Sequence, residues 1–130
     1  MNRRSITITY WAATVVFAGM MTWSAVLYMT SSHEQQIIAH LRFPSYFRVE
    51  LAFCKAAGAL ALVLPSIAAK VKEWTYAGFF IIMISALIAH LASGDGPRSA
   101  TAPVLVGCLL AVSYLSYRQV RRLGTRKGVL

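Results

Sequence analysis

From Ser5 to Ser32 the chain carries no charged residue and no histidine. A helix rises about 1.5 Å per residue, so roughly 20 such residues cross the ~30 Å hydrocarbon core of a bilayer. No small soluble domain can hide an apolar run of that length, and the composition agrees. Of the 130 residues, 58% are hydrophobic and only 13% are charged, against about 25% charged in a soluble domain. Such a chain has too few polar side chains to cover a compact water-facing surface. It is also too apolar to be disordered, and its two cysteines make no disulfide scaffold. The length allows a single domain, so residues 1–130 are expected to form one all-α integral membrane domain.

Four crossings are expected, over approximately 6–29, 46–69, 74–92 and 101–118. The first, third and fourth are plain apolar runs. The second spans only if it takes in Glu50, Cys54 and Lys55, because the stretch from Ala56 to Ala69 is too short alone. With three crossings the Lys70–Lys72 pair would fall on the wrong side of the charge pattern. With four, Arg3, Arg4, Lys70, Lys72, Arg118, Arg121, Arg122, Arg126 and Lys127 share one side, against Arg42, Arg48 and Arg98 opposite. That excess places both termini in the cytoplasm. Tyr10, Trp11, Trp74, Tyr76, Tyr114 and Tyr117 then fall at the inner interface, and Tyr28, Phe43, Tyr46 and Phe47 at the outer one. The apolar start resembles a signal peptide, but no small-x-small cleavage site follows it, so it is read as a retained span.

Short links make neighbouring helices antiparallel, giving an up-down four-helix bundle. Lys70 to Glu73 is expected as a tight inner turn, with Pro65 loosening the helix before it. Gly94-Asp95-Gly96-Pro97 forms a short outer turn before a last helix capped by Thr101. In the longer link from Thr30 to Ser45, Ile37, Ile38 and Leu41 share one helical face opposite His33, Gln36 and His40. This suits a short amphipathic segment in the first outer loop, ended by Pro44. Each span carries one interior glycine, Gly19, Gly58, Gly78 and Gly107, read either as a close approach of backbones or as a cavity wall.

The net charge of +9 is membrane-orienting rather than nucleic-acid-binding, since the basic clusters abut apolar runs and lack interleaved aromatics. Ionisable groups at membrane depth cost about 2.5–3.5 kcal/mol each and mark functional positions. Glu50 and His90 lie at similar depth, with Asp95, Arg98, His33 and His40 on the same outer side, while the inner half reads as apolar packing. Glu50, Lys55 and His90 are therefore the candidate ligand pocket. A carboxylate beside an imidazole serves proton transfer, or it is an ion pair that fixes helix register. At about 100° per residue, Lys55 falls away from the face shared by Glu50 and Cys54. Cys54 and Cys108, at similar depths on the second and fourth spans, read as a redox pair or as small apolar filler. No metal site is expected, because His33 and His40 are about 10 Å apart along a helix. No phosphate-loop, dinucleotide or nucleophile-elbow motif occurs.

The run His40-Leu41-Arg42-Phe43-Pro44-Ser45-Tyr46, followed by Glu50, Lys55 and Gly58, resembles the start of the second helix in DoxX-like membrane proteins. Lys72-Glu73-Trp74-Thr75-Tyr76-Ala77-Gly78-Phe79, ending in His90 and Gly94-Asp95, is similar to that family's third helix. Arg42 departs from the pattern, since the family usually has glycine before the aromatic and proline. The family's namesake is a subunit of an archaeal thiosulfate:quinone oxidoreductase, and relatives are linked to membrane redox and thiol-stress systems. The resemblance implies a bacterial or archaeal inner-membrane accessory subunit in quinone- or thiol-linked chemistry, with quinone as the implied cofactor, rather than a stand-alone enzyme. Its partners would be the lipid bilayer, a membrane or redox protein, or a second copy. An assembly subunit without chemistry and a small transporter are the other readings.

Overall fold

The computed structural model describes residues 2–128, and these are all-α. Five helices run in order: α1 Arg3–Thr30, α2 Ser32–His40, α3 Ser45–Val63, α4 Ala69–Ala92 and α5 Gly96–Gly128. Among the described residues, α1, α4 and the Gly96–Thr125 part of α5 are long and apolar enough to cross a membrane. The α3 helix has 19 residues, about 28 Å at 1.5 Å each, and it carries Arg48, Glu50 and Lys55.

Local chemistry sets the helix ends. The Asn2 side chain accepts a hydrogen bond from the Arg4 N–H and caps α1. Ser31 ends α1 and starts α2 in one residue: its N–H donates to Leu27 O, its backbone turns extended, and its hydroxyl accepts from the Glu34 N–H. The chain in the first long link is thus helical, with Ile38 buried and His33, Gln36 and His40 exposed.

Three expected helix ends are corrected. The second long helix stops at Val63, short of residue 69, because Leu64 precedes Pro65 and is held extended at φ −71, ψ 122. Consequently α4 starts at Ala69, and Lys70–Glu73 is its first turn, not a link. The last helix begins at Gly96 instead of Thr101. Gly94 and Gly96 take φ of +74 and +76, which turns the chain sharply, and Pro97 then sits in the first turn, where its missing N–H costs nothing. Thr101 lies inside α5, with its hydroxyl donating to Pro97 O.

The long helices close a ring of contacts: α1 packs on α3 and α5, and α4 packs on α5 and α3, while α2 leans on α3 and α1. The interior holds Phe17, Met21, Ala59, Leu62, Phe79 and Leu110, with Phe17 edge-on to Phe79 at 4.9 Å. Large apolar side chains also point outward, among them Trp23, Phe53, Leu60, Ile81 and Leu105. A lipid bilayer solvates such a surface and water does not. Tyr10, Tyr76 and Tyr117 are buried inside the ring.

Of the four interior glycines only Gly58 is a tight approach. A Cβ there would meet Cε2 and Cζ of Phe79 at 2.7 Å, whereas Gly19 and Gly78 face open space and Gly107 has ordinary room.

Candidate functional site

One carboxylate ties three elements together. Asp95 lies in the turn between α4 and α5, with its N–H donating to His90 O. Its Oδ2 accepts from His90 Nδ1 at 2.8 Å, and its Oδ1 accepts from His40 Nε2 at 2.5 Å. His90 ends α4 and His40 ends α2, so the clasp fastens the short helix to the α4–α5 turn. The hydrogen bonds from His90 and then His40 hold the Asp95 carboxyl below the usual carboxylate value.

Beside the clasp lies a cleft of about 780 Å³. One wall is the α2–α3 corner, from Ala39 through Phe43, and the other is the end of α4, with Ser85, Ile88, Ala89, Ala92 and Ser93. Its lining combines apolar residues with the polar residues His40, Arg42, Ser85 and Ser93. Arg42 has φ +64, the only positive value at a non-glycine position among the described residues. The neighbouring Phe43 ring stacks on Phe47 at 4.7 Å.

The structure does not bring Glu50, Lys55 and His90 together. Lys55 is only 5% exposed and points into α1, where its Nζ donates to Ser24 Oγ at 2.9 Å and stands 3.9 Å from the centre of the Tyr28 ring. Arg48 donates to Tyr28 O beside it. Glu50 is exposed on the other side of α3 and forms no side-chain hydrogen bond or ion pair among the described residues. Five residues of helix turn the chain by about 500°, so the two groups face apart. His90 finds its acid in Asp95 instead. Cys54 and Cys108 are both free and exposed. They sit on α3 and α5, which share no contact, and a disulfide needs Cα atoms about 4.4–6.8 Å apart.

The end of the molecule away from the clasp, expected to be plain apolar packing, has a polar centre that the sequence reading missed. Ser113 Oγ bonds both Thr14 Oγ1 and Tyr76 OH at 2.7 Å, linking α5 to α1 and α4 in the core. Lys72, only 5% exposed, donates to Leu62 O at 3.2 Å and to Tyr10 OH at 3.4 Å. It thereby satisfies a carbonyl at the end of α3, where a cation also meets the negative pole of the helix. Tyr117 OH donates to Ala69 O, and its ring lies 5.6 Å from Tyr76 and 5.9 Å from Tyr10. No buried side-chain polar atom among the described residues lacks a partner. A signal existed: Leu110, Ser113 and Tyr117 repeat at helical spacing along α5, and Tyr10, Thr14 and Phe17 do so along α1.

No His, Cys, Asp and Glu group among the described residues could hold a metal ion. No curated protein matches the chain, and no solved structure does. The model of the DoxX-like family matches residues 12–113, from the first helix through Ser113 of α5. That match covers most of the chain, and the protein belongs to the DoxX-like family.

Proposed function

We propose that the protein is an accessory subunit of membrane redox chemistry that receives a quinone ring in the cleft between the α2–α3 corner and α4. The observation that carries this reading is the Asp95 clasp at the edge of that cleft. The volume falls within the roughly 300–1,000 Å³ usual for ligand sites, and a lining that mixes polar and apolar residues can take an amphipathic ring. A bound quinone supplies the carrier of electrons, and the protein's own groups handle the proton. With Nε2–H engaged by Asp95, His40 Nδ1 would be free to hydrogen-bond a ring oxygen of the bound group and to hold a proton there, with Asp95 stabilising the charged imidazole. His90 holds Asp95 from the other side. Asp95 thus takes the tuning role first expected of Glu50. A thiol-linked role has less support, because Cys54 and Cys108 lie on helices that do not touch.

In this reading α3 is a fourth crossing and the long helices form an up-down bundle in a bacterial or archaeal inner membrane, with both termini cytoplasmic. Lys55 and Arg48 support it, since both find partners on α1 rather than facing lipid. Short-chain quinone binding to the protein in lipid nanodiscs tests the function. His40→Ala and Asp95→Asn should weaken binding about tenfold or more, worth at least ~1.4 kcal/mol, while Glu50→Gln binds normally. Unchanged binding by both clasp variants would sink the proposal. An assembly subunit is the second reading, favoured by the complete pairing of the buried polar groups. It predicts that the same variants reduce complex yield and leave quinone binding untouched.

A further inference from the structure

The 4 acidic residues of the chain are divided unevenly between the two ends of the bundle. Glu34, Glu50 and Asp95 stand at the clasp end, beside Arg42, Arg48 and Arg98. At the far end, where the starts of α1 and α4 meet the end of α5, Glu73 is the one acid among the described residues, and Arg121 holds it in an ion pair at 3.0 Å. Arg3, Arg4, Lys70, Arg118 and Arg122 are all exposed at this end. None of them forms an ion pair among the described residues. From Gly96 to Leu130 the sequence contains no acid at all. Arg3 donates to Leu123 O, which draws the start of α1 against the part of α5 that carries Arg122. Like charges gathered in this way repel, so this end calls for anions from outside the chain.

The surface of α5 narrows the choice of anion. Arg118 and Arg122, one turn apart, share a face of the helix. Further into the helix the same face continues as Leu115, Val112 and Cys108, all exposed, while Ser113, Ser116 and Tyr117 turn inward. Two guanidinium groups thus head an apolar stripe on a helix long and apolar enough to cross a bilayer. Arg118 Cζ lies 5.9 Å from the centre of the Tyr114 ring, and Lys70 Nζ lies 5.5 Å from that of Trp74. Cations beside amphipathic rings belong where lipid headgroups meet hydrocarbon. A free phosphate would engage the charges and leave the stripe idle, whereas a phospholipid engages both. We infer that this end of the molecule docks an anionic phospholipid, with its phosphate on Arg118 and Arg122 and an acyl chain along Leu115, Val112 and Cys108. Guanidinium suits the task, because its fork of donors meets two phosphate oxygens at once. The site is independent of the cleft, which lies at the opposite end of the bundle.

The test uses the full chain in detergent, with dioleoylphosphatidylglycerol, dioleoylphosphatidylcholine and inorganic phosphate as probes. Phosphatidylglycerol should bind and raise the melting temperature by several degrees. Phosphatidylcholine, whose headgroup has no net charge, and inorganic phosphate should shift it little. Each arginine facing an anionic lipid is worth about fivefold in affinity, so Arg118→Gln combined with Arg122→Gln should weaken phosphatidylglycerol binding about twentyfold. Both side chains are exposed, so without added lipid this variant should melt close to the unaltered protein. Arg118→Lys combined with Arg122→Lys keeps the charge but not the fork, and should fall between the two. Arg98→Gln, at the clasp end, should bind phosphatidylglycerol normally. Native mass spectrometry gives a second readout on the unaltered protein, which should retain phosphatidylglycerol at collision energies that strip phosphatidylcholine. Equal shifts by the two lipids, or a phosphatidylglycerol shift that survives in the glutamine variant, overturns the inference. An equal shift by inorganic phosphate would reveal a general anion patch and overturns it as well.

Discussion

Asp95 holds two imidazoles with one carboxylate, and that fixes how the clasp answers to pH. Its carboxyl lies below the ordinary 3.8 because His90 and then His40 donate to it. Near that value the unfolded chain therefore binds more protons than the folded one, and stability rises with pH. The contribution is complete above about pH 4 and disappears as the pH falls through the lowered folded value. Asp95→Asn should thus lower the melting temperature by a few degrees at pH 6–7, and that difference should close in melts at about pH 3. A gap of equal size at both pH values would show that the carboxylate charge is not what holds α2 to the turn. Sequence placed His40, His90 and Asp95 at one end of the bundle but paired His90 with Glu50, because depth along a helix says nothing of azimuth. The buried stripe Ala52, Lys55, Ala59 and Leu62 carries the missing information. Its helical spacing turns Lys55 inward and leaves Glu50 outside.

The helices show which boundaries local chemistry dictates. The uncharged run after Ser5 made α1 legible, and Pro44 correctly separated α2 from α3. At Pro65 the apolar pattern ran on while the backbone could not, so hydropathy overestimated α3 and placed the turn too late. The four glycines read alike in sequence, yet only Gly58 meets another side chain closely, because which glycine faces a neighbour depends on packing that no single helix encodes. Gly58→Ala would press a methyl to within 2.7 Å of the Phe79 ring. Phe79 is buried and backed by Phe17, so the ring has little room to retreat. The overpacking costs about 1–3 kcal/mol, more than the ~0.5–1 kcal/mol that alanine gains over glycine within a helix. Thermal unfolding in detergent should show Gly58→Ala destabilised, Gly19→Ala neutral or slightly stabilised, and Phe79→Leu restoring part of the Gly58→Ala loss. A stabilised Gly58→Ala would mean that α3 and α4 can separate without penalty.

Across the whole molecule, the polar groups work as fasteners at both ends of one apolar ring. Ser113 joins Thr14 of α1 and Tyr76 of α4 through a single hydroxyl, so Ser113→Ala strands two buried hydroxyls. It should cost about 1–3 kcal/mol, whereas Thr14→Val with Ser113→Ala, which removes one stranded partner, should cost less than the two changes summed; strict additivity would show that the hydroxyls act separately. At the same end Arg3 donates to Leu123 O, Lys72 to Leu62 O and Tyr117 to Ala69 O, so the starts of α1 and α4 lie beside the ends of α3 and α5. If α3 crosses as proposed, it does so with its amine against Ser24 and Tyr28, shielded from lipid, and its acid exposed toward the α2 end. Cysteines introduced at Lys70 and Arg122 should both react with a membrane-impermeant reagent from the cytoplasmic side, and one at Arg42 only from the other. If Lys70 and Arg122 labelled from opposite sides, α3 would not be a crossing. The cleft at the far end would then lose the boundary between water and lipid that makes it fit for an amphipathic ring.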